Sequence, residues 1–114
     1  MSQRTYVDYL QDIYDAAGYA LSFVAGVDLP TFVENHEKSF AVTRALEIIG
    51  EAARQVSAEV QQQYPHLPWQ EMIGMRNVVI HEYFGVDIEV VWRTVHEDLP
   101  HLQAALGEIL DTLT

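Results

Sequence analysis

Apolar residues recur every three or four positions along most of this chain. Tyr6, Leu10, Ile13, Ala17, Leu21 and Val24 form one such series, with Asp8, Gln11, Asp12 and Asp15 on the opposite face. The series predicts a first helix from about Thr5 to Ala25, ended by Gly26 and Pro30. A second helix is expected over roughly His36 to Val56. Its apolar arc (Val42, Ala45, Leu46, Ile48, Ile49, Ala52, Ala53 and Val56) is wide enough for a central helix, or for one that also meets a second subunit. Arg44, Glu47, Glu51 and Arg54 make its polar stripe.

Ser57 to Tyr64 reads as a short Gln-rich helix or turn, and Pro65 to Pro68 as a connector. A helix from about Pro68 to Phe84 follows, with Pro68 suited to its first turn and Gly85 to a left-handed cap. Asp87 is the expected N-cap of a last helix carried by Ile88, Val91, Val95, Leu99, Leu102, Leu106, Ile109 and Leu113. Pro100 predicts a kink or a tight restart after Asp98. No segment alternates with the period of a strand. The expected fold is all-α, an up-and-down bundle of four main helices plus one short helix.

Composition narrows the function. The 114 residues suit one domain spanning 1–114 with a single core. There is no cysteine, so disulfides, thiolate metal sites and cysteine nucleophiles are excluded. No apolar run approaches membrane-spanning length, and the N-terminus has no signal-peptide core, so the expected location is the cytoplasm with no membrane contact. Six Lys+Arg against 17 Asp+Glu give a net charge of −11, the wrong sign for a general nucleic-acid binder. An RNA-directed role would need a local cluster of the five arginines, of which Arg44, Arg54, Arg76 and Arg93 could concentrate at a cleft, doubled by symmetry. Acidity could equally serve docking to a protein partner.

Candidate chemistry concentrates in Arg76-Asn77-Val78-Val79-Ile80-His81-Glu82-Tyr83. An arginine, an amide, an imidazole and a phenol sit there among Met72, Ile73, Val78, Val79, Ile80 and Phe84. Desolvating such groups is costly unless they are paired or used. Asn77 and His81, four apart, share a helix face. Arg76 and His81 lie about 140° apart around the axis, so the spacing favours a composite cleft made by two copies of the helix. Histidine can exchange protons near neutral pH, and arginine can hold a phosphate and stabilise charge growing on it. The set suits metal-independent RNA cleavage that uses the 2′-hydroxyl as nucleophile. The alternative is structural, with Arg76 paired to Glu51 or Glu82 and Tyr83 packing its ring at a helix end.

Gly50 and Gly74 lie inside predicted helices, each costing roughly 1 kcal/mol relative to alanine. Close approach of the second helix and the motif helix would compensate and bring Glu47, Glu51 and Arg54 toward the motif. Two merely tolerated glycines are the alternative. His96-Glu97 and His101 lack metal-ligand spacing, and the H-E-x-x-H pattern is absent, so no metal is expected. His36 and His66 suit surface roles, and Trp69 and Trp92 suit core or interface anchors. No phosphate-cradling glycine loop is present, and no cofactor is expected.

The R-N-x3-H-x-Y segment resembles the R-x4-6-H signature of HEPN domains. More narrowly, the chain is similar to HepT-like toxins of the HepT/MntA toxin–antitoxin type. Further matching blocks are Ala45 to Arg54, Pro68-Trp69 with Ile73 to Asn77, His81 to Asp87, Val91-Trp92 and Asp98 to Pro100. The resemblance covers nearly the whole chain. It implies an all-α, HEPN-like homodimer whose motif helices line the dimer cleft, acting as a metal-independent endoribonuclease toxin. It implies Arg76 and His81 as the catalytic pair, assisted by Asn77. It also implies an MntA-like nucleotidyltransferase antitoxin, joined in a larger hetero-oligomer, that transfers AMP to Tyr83 and silences the toxin. A non-catalytic helical partner of a nucleotidyltransferase is the alternative function, favoured by the net charge.

Overall fold

In a computed structural model the chain is described over residues 4–81 and 87–113, with the side chains of 77–81 outside the description. The described residues form seven helices: α1 (Tyr6–Val24), α2 (Leu29–Glu34), α3 (His36–Gln55), α4 (Ala58–Gln63), α5 (Trp69–His81), α6 (Ile88–Glu97) and α7 (Leu99–Leu113). Among them there is no strand. The all-α expectation holds.

Helix α3 is the centre of the bundle. It packs on α1 along one side and on α5 along another, and also touches α2 and α6. Helix α7 covers the remaining side of α1, so the layers run α7, α1, α3, α5. This follows from the apolar arcs: Leu10, Ile13 and Ala17 of α1 and Val42, Leu46, Ile49 and Ala53 of α3 are all buried. Each large aliphatic side chain removed from water contributes roughly 1.5–3 kcal/mol. The wide arc on α3 thus finds its partners within one chain.

Local capping sets the helix ends. The Asp8 carboxylate accepts a bond from the Thr5 N–H at 2.8 Å. Asn35 accepts from the Lys38 N–H at 3.0 Å, starting α3. Asp87 caps α6 as expected, accepting from the N–H groups of Glu89 at 3.1 Å and Val90 at 3.3 Å. At the other end of α1, the Lys38 ammonium donates to the Phe23 carbonyl at 3.2 Å.

Two features depart from the expected helix count. Helix α2 lies where only punctuation was expected. Asp28 is its N-cap, accepting from the Thr31 N–H at 2.9 Å, with Pro30 in the first turn. At six residues it is too short to show helical periodicity, and it is held by Phe32, which is fully buried and meets the Trp92 ring at 5.1 Å. The last helix is divided at Asp98 into α6 and α7, the restart that Pro100 foretold. Trp69 is buried and donates from its indole to the Tyr64 carbonyl at 3.0 Å, which ties the connector to α5. The predicted cap at Gly85 lies outside the described residues.

Candidate functional site at the crossing of α3 and α5

The two glycines behave differently. A Cβ placed on Gly50 would lie 2.5 Å from the Arg76 Cβ, 2.7 Å from its backbone nitrogen and 3.0 Å from its Cα. Helices α3 and α5 therefore touch backbone to backbone at Gly50 and Arg76. Only glycine permits that approach. Around Gly74 no atom of the described residues lies within 4 Å of such a Cβ, so the expected close contact there is not found. The crossing rests on Gly50 alone.

This contact fixes where the Arg76 side chain emerges. Its guanidinium enters a small hollow of about 250 Å³ lined by Glu51, Arg54, Gln55 and Arg76. Glu51 and Arg54 were expected near the motif helix and are. Glu47 instead pairs with Arg44 at 3.2 Å. Gln55 was not foreseen, although it follows Glu51 by four residues on the same helix face. Arg4, the fifth arginine, lies close by. It lines the adjoining hollow with Tyr9, Asp12, Glu51 and Gln55, pairs with Asp12 and sits over the Tyr9 ring at 5.0 Å. Arg93, grouped with the other arginines by sequence, is exposed on α6 and does not line the Arg76 hollow.

The electrostatics of the hollow are unusual. Arg76 Nε lies 3.8 Å from Glu51 Oε1, and Arg44 Nη1 lies 3.9 Å from the same oxygen. Both distances fit ion pairs but exceed hydrogen-bond length. Arg76 Nε is covered from solvent and has no hydrogen-bond partner among the described residues. A buried donor left unmade costs about 1–3 kcal/mol. An acceptor oxygen entering the hollow would recover that cost.

Asn77 and His81 occupy the C-terminal part of α5, one and five residues beyond Arg76. The structure therefore places Arg76, Asn77 and His81 on one helix, with the arginine anchored against α3. Tyr83 lies outside the described residues.

Two other hollows compete for attention. One, of about 540 Å³, runs between α1 and α3 over an apolar floor including Ala16, Tyr19, Phe23, Ala41 and Ile48. It is roomier, but chemistry favours the Arg76 hollow, which two arginines line and where Arg76 Nε has a bond to make. Another, of about 370 Å³, gathers His66, Glu71, Glu97, Asp98 and His101. Burial, reinforced by Glu97 and Glu71, holds the Asp98 carboxyl above the usual range, against the opposing pull of His101. Among the described residues, no group of three or more acidic or imidazole side chains is arranged to hold a metal. No described helix is long and apolar enough to cross a membrane.

Comparison with known proteins points the same way as the motif. The sequence profile of the family described as Ribonuclease HepT-like matches residues 13–109. The chain is 43% identical over 107 residues to a protein of Thermococcus cleftensis named "Probable ribonuclease HepT", covering 94% of this chain and 97% of that one. It is 41% identical over 103 residues to a Methanocaldococcus jannaschii protein whose name reads "Putative RNase", covering 90% and 94% respectively. No solved structure matches.

Proposed function

This chain belongs to the HepT-like ribonuclease family, and from that premise we propose that it is a metal-independent endoribonuclease with Arg76 and His81 as its catalytic pair. The observation that carries the reading is the α3–α5 crossing. It seats Arg76 against Gly50 with a covered, unbonded Nε–H, five residues ahead of His81 on the same helix. A guanidinium fixed by backbone contact is prepared for a phosphodiester before the substrate arrives.

The reaction needs no group beyond the chain and the RNA. His81 accepts the proton of the 2′-hydroxyl, O2′ bonds to phosphorus, and the P–O5′ bond breaks. A 2′,3′-cyclic phosphate remains, and an imidazolium returns a proton to the departing O5′. Arg76 balances the negative charge on the phosphorane-like transition state. Asn77, next to Arg76, orients a hydroxyl or the imidazole. The 140° offset of Arg76 and His81 supports a homodimer whose two α5 helices complete one cleft. The exposed Tyr19 (62%) and Phe40 (71%) are apolar surface of the kind a further subunit covers.

Control would come through Tyr83. A nucleotidyltransferase antitoxin would transfer AMP from ATP to its phenol oxygen, with pyrophosphate leaving. The added phosphate would bring a bulky anion near Arg76 and His81 and repel RNA. The net charge of −11 supports an antitoxin with a basic face. It equally supports the second reading, a non-catalytic partner of such an enzyme.

Induction of the wild type, Arg76→Ala and His81→Ala in cells, followed by RNA gels, separates the two. RNA fragmentation and growth arrest by the wild type alone are expected. Equal toxicity of the variants, or intact RNA in every case, would remove the catalytic reading. After co-expression with the antitoxin, intact mass should rise by AMP increments. Increments that persist in Tyr83→Phe would move the modification elsewhere.

A further inference from the structure

The Arg76 hollow holds a carboxylate that the proposed cleavage does not use. Glu51 Oε1 stands between two arginines, 3.8 Å from Arg76 Nε and 3.9 Å from Arg44 Nη1. The three side chains differ in freedom. Arg76 is 31% exposed and its backbone is locked against Gly50, Glu51 is 45% exposed, and Arg44 is 59% exposed. Arg54 lines the same hollow.

We propose that Glu51 is a gating counter-ion: it occupies the Arg76 guanidinium at rest, and an RNA phosphate enters between Arg54 and Arg76 by displacing it toward Arg44. The inference deepens the ribonuclease reading and rests on it for the identity of the anion.

Three features support the gate. First, the Arg76–Glu51 contact is an incomplete one. It is close enough for Coulomb attraction yet too long for a hydrogen bond, so the Nε–H stays unmade. A contact optimised for stability would close that gap. A phosphate oxygen can close it, because Glu51 is the more exposed side chain and the Arg76 backbone is held against Gly50. Second, Glu51 has a receiver. Arg44 already attracts the same oxygen, so leaving Arg76 does not strand the carboxylate. Third, Arg54 lines the same hollow and supplies a further guanidinium for a phosphodiester there. Weak anions therefore lose to Glu51, while a phosphate held by both arginines wins. A protein carrying −11 overall keeps its few cations masked by this means until a suitable anion arrives.

The test uses the full chain labelled with 15N in its arginine side chains, inorganic phosphate as the probe, and the Arg76 Nε–H signal as the readout. In Glu51→Gln the signal should move at a phosphate concentration roughly 3- to 10-fold lower than in the wild type, as expected for removing a close, half-exposed charge. Glu51→Asp, which withdraws the charge by one methylene, should fall between them. An equal or higher concentration in Glu51→Gln would overturn the gate. With RNA, Glu51→Gln should lower KM by a similar factor, with the effect on KM rather than on kcat. Arg44→Ala should raise KM in the wild type and leave it unchanged in the Glu51→Gln background. Equal effects in both backgrounds would make Arg44 a direct RNA contact and refute the hand-over. If the wild type cleaves no RNA, the ribonuclease reading fails, while the phosphate titration still decides the gate.

Discussion

Gly50→Ala and Gly74→Ala are the same chemical change in two neighbouring helices, and the structure predicts opposite outcomes. In isolation each should stabilise, because alanine is favoured over glycine in a helix by about 1 kcal/mol. At Gly74 the new methyl meets no atom of the described residues within 4 Å, so most of that gain survives. At Gly50 it would lie 2.5 Å from the Arg76 Cβ and 2.7 Å from its backbone nitrogen. These are not the ends of flexible side chains, so no rotamer change relieves the contact. Helices α3 and α5 must part by about 1 Å to restore ordinary packing. Overpacking of this kind typically costs about 1–3 kcal/mol. After the helix-propensity gain of about 1 kcal/mol, the net loss is about 0–2 kcal/mol. For a domain of this size that lowers Tm by up to about 8 °C. The separation also carries Arg76 away from its seat, and a misplacement of about 1 Å at a reacting centre can lower the rate about 100-fold. Urea unfolding monitored by helical circular dichroism, with RNA cleavage alongside, reads both effects. A Gly50→Ala protein stabilised as much as Gly74→Ala would show that the crossing is not held by backbone contact. The account of how Arg76 is fixed would then fall.

Two further changes test separate elements. Asp98→Asn removes a carboxyl whose folded pKa lies above its ordinary value. The stability linked to its protonation is present at acid pH and lost as pH rises through the folded pKa, so the ionised group weakens the fold at neutral pH. The variant should melt slightly higher at pH 7, by a margin that solvent screening keeps small, and match the wild type near pH 3. A lower melting point at pH 7 would contradict this. Asp87→Ala strips α6 of the side chain that accepts from Glu89 and Val90, and should cost about 1 kcal/mol. Substitution by Asn should restore most of it, and failure of that rescue would assign Asp87 another role.

The mixture of charges around α3 explains how an acidic chain can carry an anion site. Arg44, Arg54 and Arg76 gather along one side of the α3–α5 crossing, and Arg4 lines the adjoining hollow. Their carboxylate neighbours Asp12, Glu47 and Glu51 are partners in ion pairs rather than a uniform negative field. Exposed pairs of this type are worth little in stability, about 0–1 kcal/mol, and are correspondingly easy to exchange for a ligand.

Periodicity alone determined most of this architecture. Wherever an amphipathic series ran for three turns or more, as from Tyr6 to Val24 or from Val42 to Val56, the predicted helix and its buried face are those observed. Caps at Asp87 and the restart at Asp98 were equally legible, because both depend on residues adjacent in sequence. Helix α2 was not, since six residues are stabilised by Phe32 against Trp92, sixty positions away, and not by a local pattern. The motif named Arg76 from sequence, but only packing decided what the arginine faces. Gly50 and Gly74 look alike as residues inside helices. The bundle presses one against the Arg76 backbone and leaves the other open, because which helix face meets a neighbour is a property of the whole assembly. The same crossing placed Glu51 beside Arg76, Gln55 in the same hollow and Arg4 in the next. Sequence supplied the reactive groups. Tertiary contact decided which of them were held still, which were masked and which were left with a bond to make.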